Sequence, residues 1–193
     1  MRLANYVYFD NFLSEQECNK IIKAKQNNLQ NAVLGTGKEG IIDPESRKTN
    51  VSFVENKSSL HDLIIRICNQ VCFASQKYYG RPVSAFEPIQ YAEYEKDMFF
   101  SWHVDSPTAI NEIEICKRDV SASLILNKKK EYTGGSLQFI GPGSVSKDNK
   151  LIPEDAVKQE QGTLIIFPST MIHQVTRIKS GTRKSLVVWG WAE

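Results

Sequence analysis

The chain is poor in the features that announce a compartment. Its opening, MRLANYVYFDNF, lacks the continuous apolar core of a signal peptide, and no apolar run approaches the ~20 residues that a membrane-spanning helix needs. A cytoplasmic protein with no membrane partner is therefore expected. Cysteine is sparse and unpatterned: Cys18 and Cys116 stand alone, while Cys68 and Cys72 are four apart inside a helical apolar pattern. Reduced structural thiols fit that usage better than a zinc site or a disulfide framework. An excess of charge of one sign is also lacking. The 24 basic and 22 acidic side chains leave a formal net charge of +2, and the basic residues are scattered, which argues against a nucleic-acid surface. The densest run, Lys128-Lys129-Lys130, is followed at once by Glu131 and reads as a solvated loop tip. Internal repeats and low-complexity segments are absent.

What remains is the composition of an ordinary folded protein, 41% hydrophobic and 24% charged, at a length of 193 residues that suits one domain with a real core. Residues 14–17, Ser-Glu-Gln-Glu, follow the apolar "NFL" and form a capping box, which predicts a first helix from Ser14 to Asn28. The Gly-rich stretch "NAVLGTGKEGIIDPESRK" contains no phosphate-loop pattern and reads as a mobile loop. Ser58-Ser59 and the spacing of Leu60, Leu63, Ile64, Ile67, Val71 and Phe73 predict a second helix, ending near Gly80-Arg81-Pro82, whose apolar stripe packs on a sheet.

From Ala85 the texture changes to short β-rich runs punctuated by Gly, Pro and charged turns: "AFEPIQYAEYE", "MFFSWHVD", "VSASLILN", "GGSLQFIG", "GTLIIFPS", "MIHQVTRI" and "RKSLVVWGW". About seven strands with no helix between them predict a β-sandwich or barrel-like jelly roll rather than a parallel α/β sheet. The fold class is α+β, mainly β with supporting N-terminal helices: residues 1–84 give helical support and first strands, residues 85–193 the β core.

Histidine is the scarcest chemistry-bearing residue, with three in the chain. His103 and Asp105 are two apart in "FFSWHVDSP", so on a strand they point to one face and can share a target. Alone, such a pair is more often a hydrogen-bonded couple than a metal site. His61 belongs to helix packing or the surface. His173 follows the strand "GTLIIFPS", and two histidines with one carboxylate make the facial triad that holds Fe(II) with open positions opposite. Ten residues beyond His173 stands Arg183, and Arg183, Ser185, Val187 and Trp189 alternate with Lys184, Leu186 and Val188, so the first set faces inward together. An inward guanidinium needs an anion. A dicarboxylate chelating the metal at one end and meeting Arg183 at the other satisfies that need. Fe(II), Asp105 and a doubly ionised 2-oxo diacid leave one negative charge, which Arg183 neutralises.

The set His103-x-Asp105, His173 and Arg183 resembles the Fe(II)- and 2-oxoglutarate-dependent dioxygenases, within them the prolyl 4-hydroxylase-like branch that includes the PKHD-type hydroxylases. "FDNFLSEQECNKII", "SRKTNVSFV", "QYAEYEKDMFFSWHVD", "RDVSASLILN", "TGGSLQF" and "GTLIIFPSTMIHQVTRIKSGTRKSLVVWGW" carry the likeness over most of residues 7–192. The resemblance implies a double-stranded β-helix. It makes His103, Asp105 and His173 the iron ligands and Arg183 the partner of the co-substrate's distal carboxylate. Tyr94 falls where the branch often has a tyrosine contacting that co-substrate, and Ser185 assists Arg183. Gly134-Gly135 match a glycine pair that turns the backbone into a core strand, and Trp189 a packing tryptophan of the last strand. Asp97 stands where the family usually has glycine, so the loop before the metal strand is expected to take another shape.

The same resemblance implies Fe(II), 2-oxoglutarate and O2 as metal, co-substrate and oxidant, with ascorbate as an accessory reductant. The implied reaction is hydroxylation of an unactivated C–H bond, with a prolyl or similar side chain of a peptide or protein as the first substrate. A small molecule or free amino acid is the alternative. So is a catalytically silent β-helix that binds a partner. The loops "GTGKEGIIDPESRK" and "SPTAINEIEICKR" are placed to close over the substrate, and Phe100 and Trp102 are expected to alternate away from the ligands and pack the wall.

Overall fold

The computed structural model describes residues 6–32, 43–54, 59–106, 118–141, 154–156 and 159–191. The first strands and helices are β1 (Val7–Phe9), α1 (Glu15–Lys25), β2 (Gln30–Asn31), β3 (Arg47–Lys48), β4 (Asn50–Phe53) and α2 (His61–Ala74). The β core follows as β5 (Ala85–Phe86), β6 (Gln90–Tyr94), β7 (Phe99–His103), β8 (Val120–Ile125), β9 (Tyr132–Gly134), β10 (Leu137–Ile140) and β11 (Glu154–Asp155). It ends with β12 (Leu164–Pro168), β13 (Ile172–Val175), β14 (Ile178–Gly181) and β15 (Arg183–Trp191).

These strands make two antiparallel sheets that face each other as an open jelly roll, not a closed barrel. The larger runs β1-β12-β8-β15-β6-β4-β2, with β5 also on β15; the smaller runs β11-β10-β13-β7-β3; β9 and β14, distant in sequence, pair as a separate two-stranded sheet. Strand alternation explains the layering. Val120, Ala122, Leu124, Leu164, Ile166, Leu186 and Val188 leave the large sheet on its outer side and bury against Ile21, Leu60, Leu63, Ile67 and Val71 of the helical layer. Ile165, Phe167, Ala92 and Tyr94 leave it on the inner side and meet Leu137, Phe139 and Val175 of the small sheet. The inner layer carries the site.

Helix α1 starts as its sequence dictates: the Glu17 amide donates to Ser14 Oγ (3.3 Å) and the Ser14 amide to Glu17 Oε2 (2.8 Å). It ends at Lys25, three residues before the expected Asn28. Helix α2 continues through a π-helical turn, Ser75–Tyr79, and stops at Gly80 with φ +66°. Phe73, counted in its apolar stripe, is instead 51% exposed, because it lies two positions from Val71 and so around the helix from the buried row. Ser58 lies outside the described residues. No helix among the described residues is long and apolar enough to cross a membrane.

The lysine run is not a free loop tip. Lys128 pairs with Glu15 of α1 while its side chain stays 37% exposed, Lys129 donates to the Gly134 carbonyl (2.9 Å) and lies over the Tyr132 ring, and Lys130 is exposed. Cys18, Cys68 and Cys72 are unpaired thiols; burial pushes Cys18 up to about 12 and Cys68 to about 11, which keeps both protonated and unreactive. Cys116 lies outside the described residues.

Candidate metal and co-substrate site

His103 closes β7 and His173 sits in β13, and the two are direct partners across the ladder, with ring centroids 4.1 Å apart. Asp105 lies just past the end of β7, where its amide donates to the Ser169 carbonyl (2.9 Å) and so ties it to the bend between β12 and β13. Each imidazole has its Nδ1 against a backbone carbonyl two residues earlier, His103 on Ser101 (2.7 Å) and His173 on Met171 (2.9 Å). A ring nitrogen facing a carbonyl must carry the proton, so in the neutral form of each ring Nε2 is the bare lone pair. Those two nitrogens face Asp105 at 3.7 Å (Oδ1) and 3.5 Å (Oδ2). Both separations are too long for a good imidazole–carboxylate hydrogen bond, so the simple hydrogen-bonded couple does not describe the pair. Donors that share one ion through bonds of about 2.1 Å stand a little over 3 Å apart, and all three donor atoms here lie within 4.8 Å of one another. Among the described residues, this is the one group of three such donors gathered closely enough to hold a metal.

The electrostatics favour ligation. Burial, reinforced by the neighbouring His173, pushes His103 down to about 4, so the ring is neutral at neutral pH. Burial would raise Asp105, but the positive charge that His173 and His103 carry when protonated, together with the Ser121 hydroxyl, outweighs it and holds the carboxyl below its usual range. The Trp189 indole N–H faces the same carboxylate without making a hydrogen bond within normal geometry. Ser121 is itself held by Ser169 (2.8 Å between hydroxyls).

Arg183 opens β15 on the inner face, 1% exposed, level with Tyr94 of β6. Its Nη1 donates to Ser185 Oγ (2.9 Å), while Nε and Nη2 have no partner and the Tyr94 ring lies 5.6 Å from the guanidinium carbon. Arg183, Ser185, Tyr94, Trp189 and the three metal-type donors line a single cavity between the sheets. Tyr132, which the sequence did not single out, places an unpartnered buried hydroxyl beside the same guanidinium. The glycine pair makes room for this: a Cβ on Gly135, at φ +63°, would stand 3.1 Å from Arg183 Cδ and 2.3 Å from Ile178 Cδ1.

Two local expectations change. Phe100 does not turn away from the ligands. Its ring stacks on His103 at 3.5 Å, because a β-bulge lets Ser101 and Trp102 together oppose Gln174, so that Phe100 and His103, three apart, share the cavity face. Trp102, which was expected to pack the wall, is 37% exposed. Asp97 adopts φ +66°, the conformation glycine would take, with its amide donating to Ile178 and its carbonyl accepting from Arg177. The turn before β7 therefore does without glycine by paired hydrogen bonds across to the residues around β14. His61 is exposed at the start of α2, beside a broader outer groove lined also by Cys68 and Glu87. Glu87 is already spent on Arg118, and residues 35–42 and 107–117 of the two loops expected to cover the substrate lie outside the described residues.

The model of the 2OG-Fe(II) oxygenase superfamily matches residues 89–191, more than half of the chain and the whole of the cavity just described apart from β3. The chain belongs to the 2OG-Fe(II) oxygenase superfamily. Among relatives of this oxygenase, a PKHD-type hydroxylase of Shewanella oneidensis is 31% identical over 104 residues, 54% of this chain and 42% of that protein. A PKHD-type hydroxylase of Crocosphaera subtropica is 32% identical over 104 residues, 53% of this chain and 41% of that protein. The match thus spans about two fifths of the length of these relatives. A Pseudomonas putida prolyl-4-hydroxylase has the same fold with a TM-score of 0.70 at 20% identity, covering 98% of this chain and 93% of that one. A Trichoplax adhaerens prolyl hydroxylase, solved with a peptide fragment of hypoxia inducible factor, gives 0.72 at 15% identity, covering 97% and 83%. The oxygenase family's metal and co-substrate suit the donors present: two bare imidazole nitrogens and a carboxylate for Fe(II), and two unsatisfied guanidinium N–H groups for the carboxylate of 2-oxoglutarate.

Proposed function

We propose that this chain is an Fe(II)- and 2-oxoglutarate-dependent hydroxylase acting on a prolyl or similar side chain of a peptide or protein, and that residues 1–193 work as one unit. The observation that carries the reading is the aim of two Nε2 lone pairs at the Asp105 carboxylate, with the free N–H groups of Arg183 in the same cavity. When bound, the metal and 2-oxoglutarate supply the oxidation: one oxygen atom of O2 enters the substrate C–H bond, the other enters succinate, and CO2 leaves.

The protein's part is positioning. His103, Asp105 and His173 would hold the metal; Arg183 and Ser185, with Tyr94 and Tyr132 flanking, would hold the distal carboxylate; Phe100, Phe167 and Trp189 line the cavity with apolar surface that keeps water out. The peptide as substrate is supported by the prolyl hydroxylases that share the fold, one of them solved with a peptide. Succinate release measured with proline-containing peptides, alongside a 16 Da mass gain on the peptide, tests the reading. If succinate production survives His173→Ala, the metal assignment is wrong.

A further inference from the structure

The cavity contains a second buried arginine to which the reading above gives no task. Arg47 stands on β3, the edge strand of the small sheet, directly opposite Phe100 of β7, so the two side chains leave the sheet on the same, cavity-facing side. Its guanidinium lies 4.6 Å over the Phe100 ring, which in turn stacks on His103. Arg47 is 8% exposed, its Nε has no partner, and it forms no ion pair with a carboxylate among the described residues.

A guanidinium cannot shed its proton to escape burial. Stacking on an aromatic face recovers only a fraction of the hydration it loses, so a buried arginine of this kind calls for an anion. The co-substrate cannot provide it. With one end on the metal and the other on Arg183, which enters from the opposite sheet, 2-oxoglutarate has no carboxylate left, and the charges of Fe(II), Asp105, 2-oxoglutarate and Arg183 already cancel. Arg47 leaves the filled site with one positive charge in excess, beside His103.

We infer that Arg47 is a specificity-determining residue that receives a carboxylate carried by the substrate. The inference rests on the oxygenase reading of the same cavity. The group it would take is a planar carboxylate held by the guanidinium fork, from either a free amino acid or an acidic side chain next to the hydroxylated residue of a peptide.

Anaerobic protein loaded with Fe(II) and 2-oxoglutarate is expected to show a visible metal-to-ligand charge-transfer band, which a substrate analogue entering beside the metal would perturb. Two sets of probes are titrated: free amino acids against their amides, and acetylated tripeptide amides with Glu against Gln beside the central residue. The expected result is at least about tenfold tighter binding of the acid over its amide in one set, which identifies the source of the carboxylate. Arg47→Gln removes that preference, Arg47→Lys keeps part of it, and both leave the band formed by 2-oxoglutarate unchanged. Equal binding of acid and amide overturns the inference, as does an acid preference that survives Arg47→Gln. So does failure of every acid to perturb the band at about 10 mM, or a loss of 2-oxoglutarate binding in Arg47→Gln as large as in Arg183→Gln. If the band never forms in the parent protein, the oxygenase reading fails and takes the inference with it.

Discussion

His103 and His173 face each other across the β7–β13 ladder with their Nδ1 atoms pinned by the carbonyls of Ser101 and Met171, so that both Nε2 lone pairs point at Asp105. The strand pairing places the two rings and the carbonyls fix their tautomer. A metal would find both rings already oriented, and His103 uncharged.

Removing either ring should therefore cost far more in metal binding than in folding. His103→Ala and His173→Ala are each expected to weaken Fe(II) binding by more than about 100-fold, since losing even an outer partner of a ligand costs 10–100-fold, and to abolish succinate formation. Metal titration and a succinate assay read the two effects. A variant that keeps parental metal affinity sinks the assignment.

Arg183→Gln should act on the co-substrate alone. Two guanidinium N–H groups without a partner in the protein are the donors a distal carboxylate would take, and charge-assisted bonds of this kind are each worth about 1.5–3 kcal/mol. The KM for 2-oxoglutarate is expected to rise at least about tenfold with Fe(II) affinity unchanged. Ser185→Ala, which removes only the Nη1 partner at 2.9 Å, should cause a smaller rise. Equal effects on metal and co-substrate would contradict the division of labour.

How much of this was legible in the sequence depends on how local the cause is. The His103-x-Asp105 spacing, the inward set Arg183, Ser185 and Trp189, and the capping box at Ser14 are short-range patterns, and the structure has each where alternation and capping place it. Phe100 was misjudged because strict alternation assumes an unbroken ladder. The bulge opposite Gln174 is set by the pairing of β7 with β13, seventy residues on in the chain. Arg47 and Tyr132 were invisible for the same reason, since nothing around either residue says that it will lie beside Phe100 or Arg183. Asp97 went the other way: it departs in residue type from glycine, yet cross-chain hydrogen bonds hold it at φ +66°.

The glycine next to the arginine gives a prediction that joins fold and site. Gly135→Ala places a methyl group 2.3 Å from Ile178 Cδ1 and 3.1 Å from Arg183 Cδ at φ +63°. A non-glycine residue held in that region costs about 1–3 kcal/mol, and relief by displacing Arg183 would also weaken co-substrate binding. A lowered thermal midpoint together with a raised KM for 2-oxoglutarate is expected. A variant matching the parent in both would show that the space is not as tight as the contact distances imply.

The last prediction concerns pH and the metal-free protein. Burial holds His103 down at about 4, against 6.5 for a free imidazole, so between those values the unfolded chain binds a proton that the folded chain refuses. Folding stability must then rise with pH across that window, by at most about 1.4 kcal/mol per pH unit for one proton. Asp105, held below its usual range by the imidazoles against the opposing effect of burial, contributes stability that is lost only at still lower pH, as its folded carboxyl takes up a proton. The thermal midpoint of chelator-treated protein is thus expected to fall as pH is lowered from 7 to 5. His103→Asn, which cannot take up that proton in either state, should show a shallower dependence than the parent. Calorimetry at a series of pH values checks both; a midpoint in the parent that is flat or rises toward pH 5 would mean that His103 titrates normally and is not buried as a neutral ligand.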